Sequence, residues 1–195
     1  QDNIPCIFIS GNNTLNETTN FKKVPIRTYG QQEADIIPLV KSITKYSVMI
    51  TKANDIVEEL DKAIKIALEG RKGPVWIDVP LDIQSAQIDF DESLIDKEID
   101  LKKPVIPNQK EIDLITGKLN NSERPVLLIG SGIKSSDSEK IFQTFVEKNK
   151  IPVVFSNSAC DIYGSSNKFS VGSIGAMGAS RAGNFAFQNS DLVLV

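Results

Sequence analysis

Gly70-Arg71-Lys72-Gly73-Pro74-Val75-Trp76-Ile77-Asp78-Val79-Pro80-Leu81-Asp82-Ile83-Gln84 reads as a helix stop, a tight turn, a buried strand and an exit. Gly70 ends a helix, Gly73-Pro74 makes the turn, and Pro80, which lacks an N–H, ends the strand Val75 to Val79. Upstream, Asn54 is placed to cap a helix running to about Glu69. Its apolar residues Ile56, Val57, Leu60, Ala63, Ile64, Ala67 and Leu68 form one stripe at the 3.6-residue period. Asp55, Glu58 and Glu59 stand near its start, where the helix dipole favours negative charge.

The same alternation extends outward. A short buried strand is predicted over Ile4 to Ser10, closing on Gly11, then a polar loop from Asn12 to Tyr29. A helix weakened by Pro38 follows from Gln31 to Ser42, and a strand from Lys45 to Thr51. Downstream, Gln109 to Asn120 reads as a helix with Ile112, Ile115 and Leu119 on one face. Pro125 to Ile129 is a strand ending in Gly130-Ser131-Gly132. Ser136 and Glu139 have the spacing of a capping box for a helix to about Lys148. Ile151 to Phe155 reads as a strand, Gly175 to Gln188 as a helix of small residues, and Asp191 to Val195 as a last strand. Helices alternating with short apolar strands imply α/β architecture, with parallel sheets covered on both faces. Between the halves, Asp89, Asp91, Glu92, Asp96, Glu98 and Asp100 alternate with isolated apolar residues before Pro104 and Pro107, the composition of a solvated linker. The expected organisation is a unit over 1–88, a linker over 89–108 and a second unit over 109–195.

With 41% hydrophobic and 24% charged residues, the 195-residue chain has the composition of an ordinary soluble protein. A net charge of −3 gives no basic face to recruit nucleic acid, and no apolar run reaches the roughly 20 residues of a membrane span. Gln1-Asp2-Asn3 opens without a signal-peptide pattern, and Cys6 and Cys160 read as reduced, partly buried thiols, so a cytoplasmic protein is expected and the sequons at Asn12, Asn16 and Asn120 go unused. With no histidine, neither a Ser-His-Asp triad nor a histidine metal site can form, and two isolated cysteines cannot cage zinc. The chain opens one residue short of a strand and stops in the apolar run Leu192 to Val195, as a piece of a longer enzyme would.

Gly130-Ser131-Gly132, between a strand and a helix, lets backbone amides approach a phosphate. A third glycine and an acidic residue after the next strand, where Phe155-Ser156-Asn157 stands, are both missing from a dinucleotide fingerprint, so a plain βα turn is the competing reading. Asp78 and Asp82 are close enough in sequence to be weighed as an acid/base pair, but Pro80 between them favours a structural role.

The fifteen residues from Gly70 to Gln84 resemble the end of the pyrimidine-binding domain of thiamine-diphosphate enzymes of the acetolactate synthase and pyruvate oxidase type, where the run reads G-R-x-G-P-V-x-I-D-[IV]-P-x-D-[IV]-Q. Arg27 to Ile37 resembles the family's F-Q-E-x-D-[IV] segment, and Ile43-Thr44-Lys45-Tyr46 its I-T-K-[WYH] run. The stretch Val171 to Ala179, with the helix, aspartate and strand that follow, is similar to the central domain. The resemblance implies a partial pyrimidine-binding domain and a Rossmann-like central domain, two three-layer units joined by a linker.

It further implies that Gln32 reaches toward the reaction centre and that Lys45 lies near the substrate entry. Gln31 replaces the family's usual aromatic residue, which implies a substrate pair other than pyruvate with a simple 2-keto acid. Gly130, Ser131, Gly132, Ser156, Gly175 and Met177 become the candidate cofactor-lining residues. Flavin-keeping relatives read G-M-H-G where this chain has Gly175-Ala176-Met177-Gly178, so FAD is possible but not favoured. In the family, the carboxylate that activates the cofactor lies upstream of such a segment and the G-D-G…N diphosphate and Mg2+ motif downstream; no Gly-Asp-Gly occurs here, and no catalytic or metal-ligating residue is assigned to the segment. The expected parent is a homodimeric or tetrameric enzyme that binds thiamine diphosphate and Mg2+ and consumes pyruvate or a related 2-keto acid, the segment alone being inactive. A non-enzymatic FAD- or ADP-binding module and a cofactor-free assembly domain are the alternatives.

Overall fold

The computed structural model describes residues 3–91, 101 and 105–195. They form two compact units, one of the described residues up to 101 and one of residues 105–195. Of the acidic stretch, Glu92, Asp96, Glu98 and Asp100 lie outside the described residues.

The first unit contains β1 (Ile7–Asn12), α1 (Thr19–Lys22), α2 (Ile36–Val40), β2 (Tyr46–Met49), α3 (Ile56–Leu68), β3 (Val75–Pro80) and α4 (Leu81–Gln84). Its three strands are parallel in the order β1-β3-β2, so the strand of the decisive stretch is the central one. Alternation turns Val75, Ile77 and Val79 to one face, where Ala63 and Ala67 of α3 close a core with Ile50, Tyr46 and Val48. The other face carries the polar partners: Trp76 stacks on Phe8 with ring centroids 5.1 Å apart, and Asp78 is buried beside Ser10 and Asn12.

The second unit contains α5 (Gln109–Asn120), β4 (Pro125–Ile129), α6 (Gly132–Ser135), α7 (Glu139–Asn149), β5 (Val153–Phe155), β6 (Ser170–Ser173), α8 (Arg181–Asn189) and β7 (Leu192–Leu194). Its strands are parallel in the order β6-β5-β4-β7. Leu127, Ile129, Val153 and Phe155 face Phe142 and Val146 of α7, with Tyr163 meeting Phe142 edge-on. Val126 and Val154 are buried on the opposite face, and α8 packs across β5 and β6. α8 sits very close to β6: a Cβ at Gly183 would stand 2.3 Å from the Ser173 carbonyl oxygen, so only glycine fits.

Both sheets are parallel and β4 and α5 have the expected bounds, but several local readings are corrected. β1 runs to Asn12 and is not buried: Ile7, Phe8 and Ile9 are exposed on a strand at the border of the sheet. The stretch from Asn12 to Tyr29 is not simply a loop; a 3-10 turn over Leu15–Glu17 and α1, capped by the Thr18 side chain, occupy it. The helix expected from Gln31 shrinks to α2, where Pro38 sits in the first turn and no intrahelical N–H is lost. Asn54 does not cap α3; it lies inside a 3-10 turn, Ala53–Asp55, that leads straight into the helix. Ser136 forms no capping box, because it ends α6, its hydroxyl bonding back to the carbonyls of Gly132 and Ile133. A capping box does form one helix earlier, between Asn108 and Glu111. The helix expected from Gly175 starts only at Arg181, with Ser180 as its cap, since Gly175 and Gly178 adopt left-handed backbone. β6 was not anticipated: its Ser-Val-Gly-Ser run carries little apolar signal. Cys160 is exposed rather than partly buried; both cysteines are free thiols.

Candidate functional site

In the second unit, three consecutive strands of one parallel sheet end at the same edge. β4 ends in Gly130-Ser131-Gly132, β5 in Ser156, and β6 leads through Ile174 to Gly175. The chain leaves β4 toward β5 on one side and returns as β7 on the other, so Gly130 sits where the strand order reverses. Such a switch point opens a crevice beyond the carboxyl ends of the strands, the usual ligand position in this architecture. A Cβ on Gly130 would meet only the Ser156 hydroxyl, at 3.8 Å, and one on Gly132 would meet nothing within 4 Å. Packing therefore does not demand glycine at either position; their small size leaves backbone amides open to a phosphate-bearing group. The Gly175 loop is held by a two-way clamp: the Gly175 N–H donates to Asn184 Oδ1 at 3.1 Å, and Asn184 Nδ2 donates to the Gly175 carbonyl at 3.0 Å. Met177, at the loop tip, is 86% exposed. Beside the same edge Lys134 pairs with Asp161; the shared hydrogen bond raises the amine's pKa and lowers the carboxyl's.

A hollow of about 400 Å³ among Arg124, Lys150, Pro152 and Phe185 lies at the opposite edge, at the amino ends of β4 and β5. Concavity alone would select that edge; the glycine turns and the strand reversal select the other, and the backbone donors there make the stronger case.

In the first unit the two substrate-channel candidates are not brought together. Gln32 is exposed, in a left-handed turn at the carboxyl edge, where Asn12 at the end of β1 donates to the Ala34 carbonyl. Lys45 precedes β2 at the amino edge, where its N–H donates to the Pro74 carbonyl. Its ammonium donates to the Ile66 and Glu69 carbonyls, capping the C-terminus of α3, and burial lowers its pKa against the opposing pull of Glu69. Asp78 and Asp82 are both structural. Asp78 accepts from Ser10 and Asn12, and Asp82 from the Leu15 and Ile83 amides. Sequence reading passed over Glu33. It is 5% exposed, and its oxygens accept from the Thr19 N–H and hydroxyl and from the Tyr29 and Gly30 N–H groups. Burial pushes its pKa up, but Thr19 and the three amides outweigh that and hold it below the usual carboxylate range. Neighbouring Asp35 moves the other way, raised by burial and then by the charges of Glu33 and Asp78. Among the described residues no cluster of three or more cysteines and carboxylates could hold a metal ion, and no helix is long and apolar enough to cross a membrane.

Two parallel α/β sheets, with glycine turns at the reversal of the second, are the frame found in one group of cofactor-dependent enzymes. Residues 112–195 match the family described as the thiamine pyrophosphate enzyme central domain. The chain belongs to the thiamine-pyrophosphate-dependent enzymes, in the branch that includes the acetolactate synthases. It is 34% identical over 84% of its length to the acetolactate synthase large subunit of Corynebacterium glutamicum. It is 31% identical over 99% to the chloroplastic acetolactate synthase 2 of Nicotiana tabacum, and 27% identical over 98% to a glyoxylate carboligase of Escherichia coli O157:H7. The chain spans 26%, 28% and 31% of these three proteins respectively, between a quarter and a third of each.

Proposed function

We propose that the chain serves within a thiamine-diphosphate-dependent carboligase or decarboxylase, a transferase or lyase acting on pyruvate or a related 2-keto acid. The observation that supports this most is the similarity to two acetolactate synthases and a carboligase, which runs through both units. When bound, thiamine diphosphate supplies a nucleophilic carbon and an electron sink for the carbanion left by a 2-keto acid. We assign no catalytic or metal-ligating role to the residues described here, and no Gly-Asp-Gly occurs in the sequence. Their part is placement. The first sheet carries Gln32 at its carboxyl edge, where we assign it a contact with the substrate carboxylate. Lys45, at the opposite edge with its ammonium on the Ile66 and Glu69 carbonyls, is left the part of securing α3. The glycine turns of the second unit, with Ser131, Ser156 and Met177, cradle a phosphate-bearing group such as ADP or, less favoured because Ala176 and Met177 replace the flavin-type pair, FAD. Mg2+ accompanies the diphosphate in this reading. The assembly is a homodimer or tetramer in the cytoplasm, a setting in keeping with two free thiols.

The test takes the polypeptide with all the flanking sequence its gene encodes. Calorimetry with thiamine diphosphate and Mg2+ should show saturable binding, and pyruvate or a close 2-keto acid should be consumed only when both are present. Absence of binding defeats the proposal. The open switch-point crevice supports a second reading, nucleotide binding without chemistry: ADP or a yellow flavin released on denaturation, with no keto-acid turnover, would select it.

A further inference from the structure

Gly30 to Glu33 form a tight turn in which the Glu33 N–H donates to the Gly30 carbonyl at 3.3 Å. Its third residue, Gln32, has φ 62°, a conformation that crowds any side chain and that turns of this kind reserve for glycine or asparagine. Such a residue persists only where its surroundings over-determine it, and such residues gather at ligand-binding positions. Here the surroundings do so on every side. The Gln31 carbonyl accepts from Asn13 Nδ2 at 2.8 Å, and the Ala34 carbonyl from Asn12 Nδ2 at 3.0 Å. Asn12 is itself fixed by Asp78 at 2.9 Å. Gly30 is pressed against Glu17, whose carbonyl oxygen would be 2.5 Å from an added Cβ. The buried Glu33 carboxylate takes four donors, with Thr19 Oγ1 and the Tyr29 amide each at 2.6 Å. The residues on both sides of Gln32 are fastened, whereas the Gln32 carboxamide is exposed and has no hydrogen bond among the described residues. The turn lies at the carboxyl edge of a parallel sheet, where ligands approach.

We propose that Glu33 is a positioning residue: with Asn12 and Asn13 it holds the turn in the one shape that presents the Gln32 carboxamide to the carboxylate of the 2-keto acid. The inference rests on the function proposed above. A primary amide donates well to a carboxylate, and a turn already fastened on both sides leaves Gln32 little backbone freedom to lose in doing so. Replacing Glu33 by glutamine puts an NH2 group against N–H donors, so at least one side of the clamp opens.

The experiment is a double-mutant cycle in the full-length enzyme with Gln32→Ala, Glu33→Gln and both together. Each single variant should raise KM for the keto acid roughly tenfold with kcat little changed, the mark of a lost ground-state contact. The pair should be no worse than Gln32→Ala, because Glu33 then has nothing left to position. Thiamine diphosphate affinity should stay unchanged in all three. Independently of turnover, Glu33→Gln should speed hydrogen exchange at Thr19, Tyr29 and Gly30 while β3 stays protected. An unchanged KM in Glu33→Gln, or effects that multiply in the pair, overturns the inference and leaves the functional reading intact. If Glu33→Gln does not fold, Thr19→Val removes one donor only, and its smaller KM rise must vanish in the Gln32→Ala background. An unaltered enzyme that turns over no 2-keto acid refutes the functional reading and this inference with it.

Discussion

Replacing Asp78 by alanine would strike the first unit where its polar face is organised. The carboxylate is 1% exposed. Oδ1 accepts from Ser10 Oγ at 2.6 Å and Oδ2 from Asn12 Nδ2 at 2.9 Å, while Ser10 Oγ accepts from Trp76 Nε1 at 2.8 Å. Alanine removes two hydrogen bonds to a charged acceptor, each worth about 1.5–3 kcal/mol, and strands two donors. Against this, the unit no longer holds a carboxylate out of water, which returns part of the loss, and the net cost is about 3 kcal/mol. With a urea dependence of roughly 1.5 kcal/mol per molar, the unfolding midpoint should fall by roughly 2 M. The assay is built in: Trp76 is the single tryptophan, stacked on Phe8 and bonded to Ser10, so its fluorescence follows this unit alone. Asp78→Asn keeps one acceptor oxygen and should lose about half as much, about 1.5 kcal/mol. Either variant should also lower the Asp35 pKa, which the Asp78 charge helps to raise, as a carbon-detected NMR titration would read. A midpoint within about 0.5 M of the unaltered protein, or an asparagine variant as damaged as the alanine one, would refute the reasoning.

Asp191 is held down to about 2, first by the Ser122 hydroxyl, against a smaller opposing effect of burial, and then by the Glu123 and Arg124 amides. Because its folded value lies below the ordinary one, its stabilisation is complete above about pH 4 and is lost as pH falls toward 2. Ser122→Ala should raise that pKa and move acid unfolding of residues 105–195 to higher pH, as NMR and circular dichroism would show. Gly183→Ala forces a methyl into the Ser173 carbonyl and should cost at least about 2 kcal/mol in thermal unfolding of the second unit, whereas a change under about 0.5 kcal/mol would mean that α8 does not pack on β6 as described. Asn184→Ala removes both clamp bonds, so the Gly175 amide should exchange at least tenfold faster at nearly unchanged melting temperature; an unaltered rate would count against the clamp.

What the sequence made legible follows from where its signals are local. The run Gly70 to Gln84 carries its turn and strand chemistry in consecutive residues, and β3 lies where it says. Pro125 to Ile129 and Gln109 to Asn120 are equally self-contained, an apolar run before glycine and a periodic helix, and both stand with the expected ends. Misreadings cluster where two local solutions compete. Ser136 could open α7 or close α6, and only the carbonyls of Gly132 and Ile133 decide between them. Gly175 to Ala179 has helix-tolerant alanines, yet two glycines at positive φ defer the helix to Arg181. Site residues divide the same way. Gly130 and Ser156 are visible as small residues at strand ends. Glu33 was not, because one acidic residue among polar neighbours gives no hint of burial; its partners Thr19 and Tyr29 come from a stretch that reads as irregular. The nearest available signals were its match to the glutamate of the F-Q-E-x-D-[IV] segment and Gly30, three residues before it, in a segment otherwise suited to a tight turn.

The contact between α8 and β6 has a consequence for the segment it brackets. Gly172 and Gly183 are jammed against Ser180 and the β6 backbone, so the two feet of the span from Ile174 to Ala179 are riveted to the sheet. Within the span Gly175 is clamped by Asn184 and Gly178 has positive φ, but Ala176 and Met177, the latter almost wholly in solvent, are free of such constraint. Tolerance to substitution should therefore change abruptly within a dozen residues: nearly nil at the rivets and wide at Ala176 and Met177, where side chains can be exchanged to suit a different guest while the masonry beneath stays put.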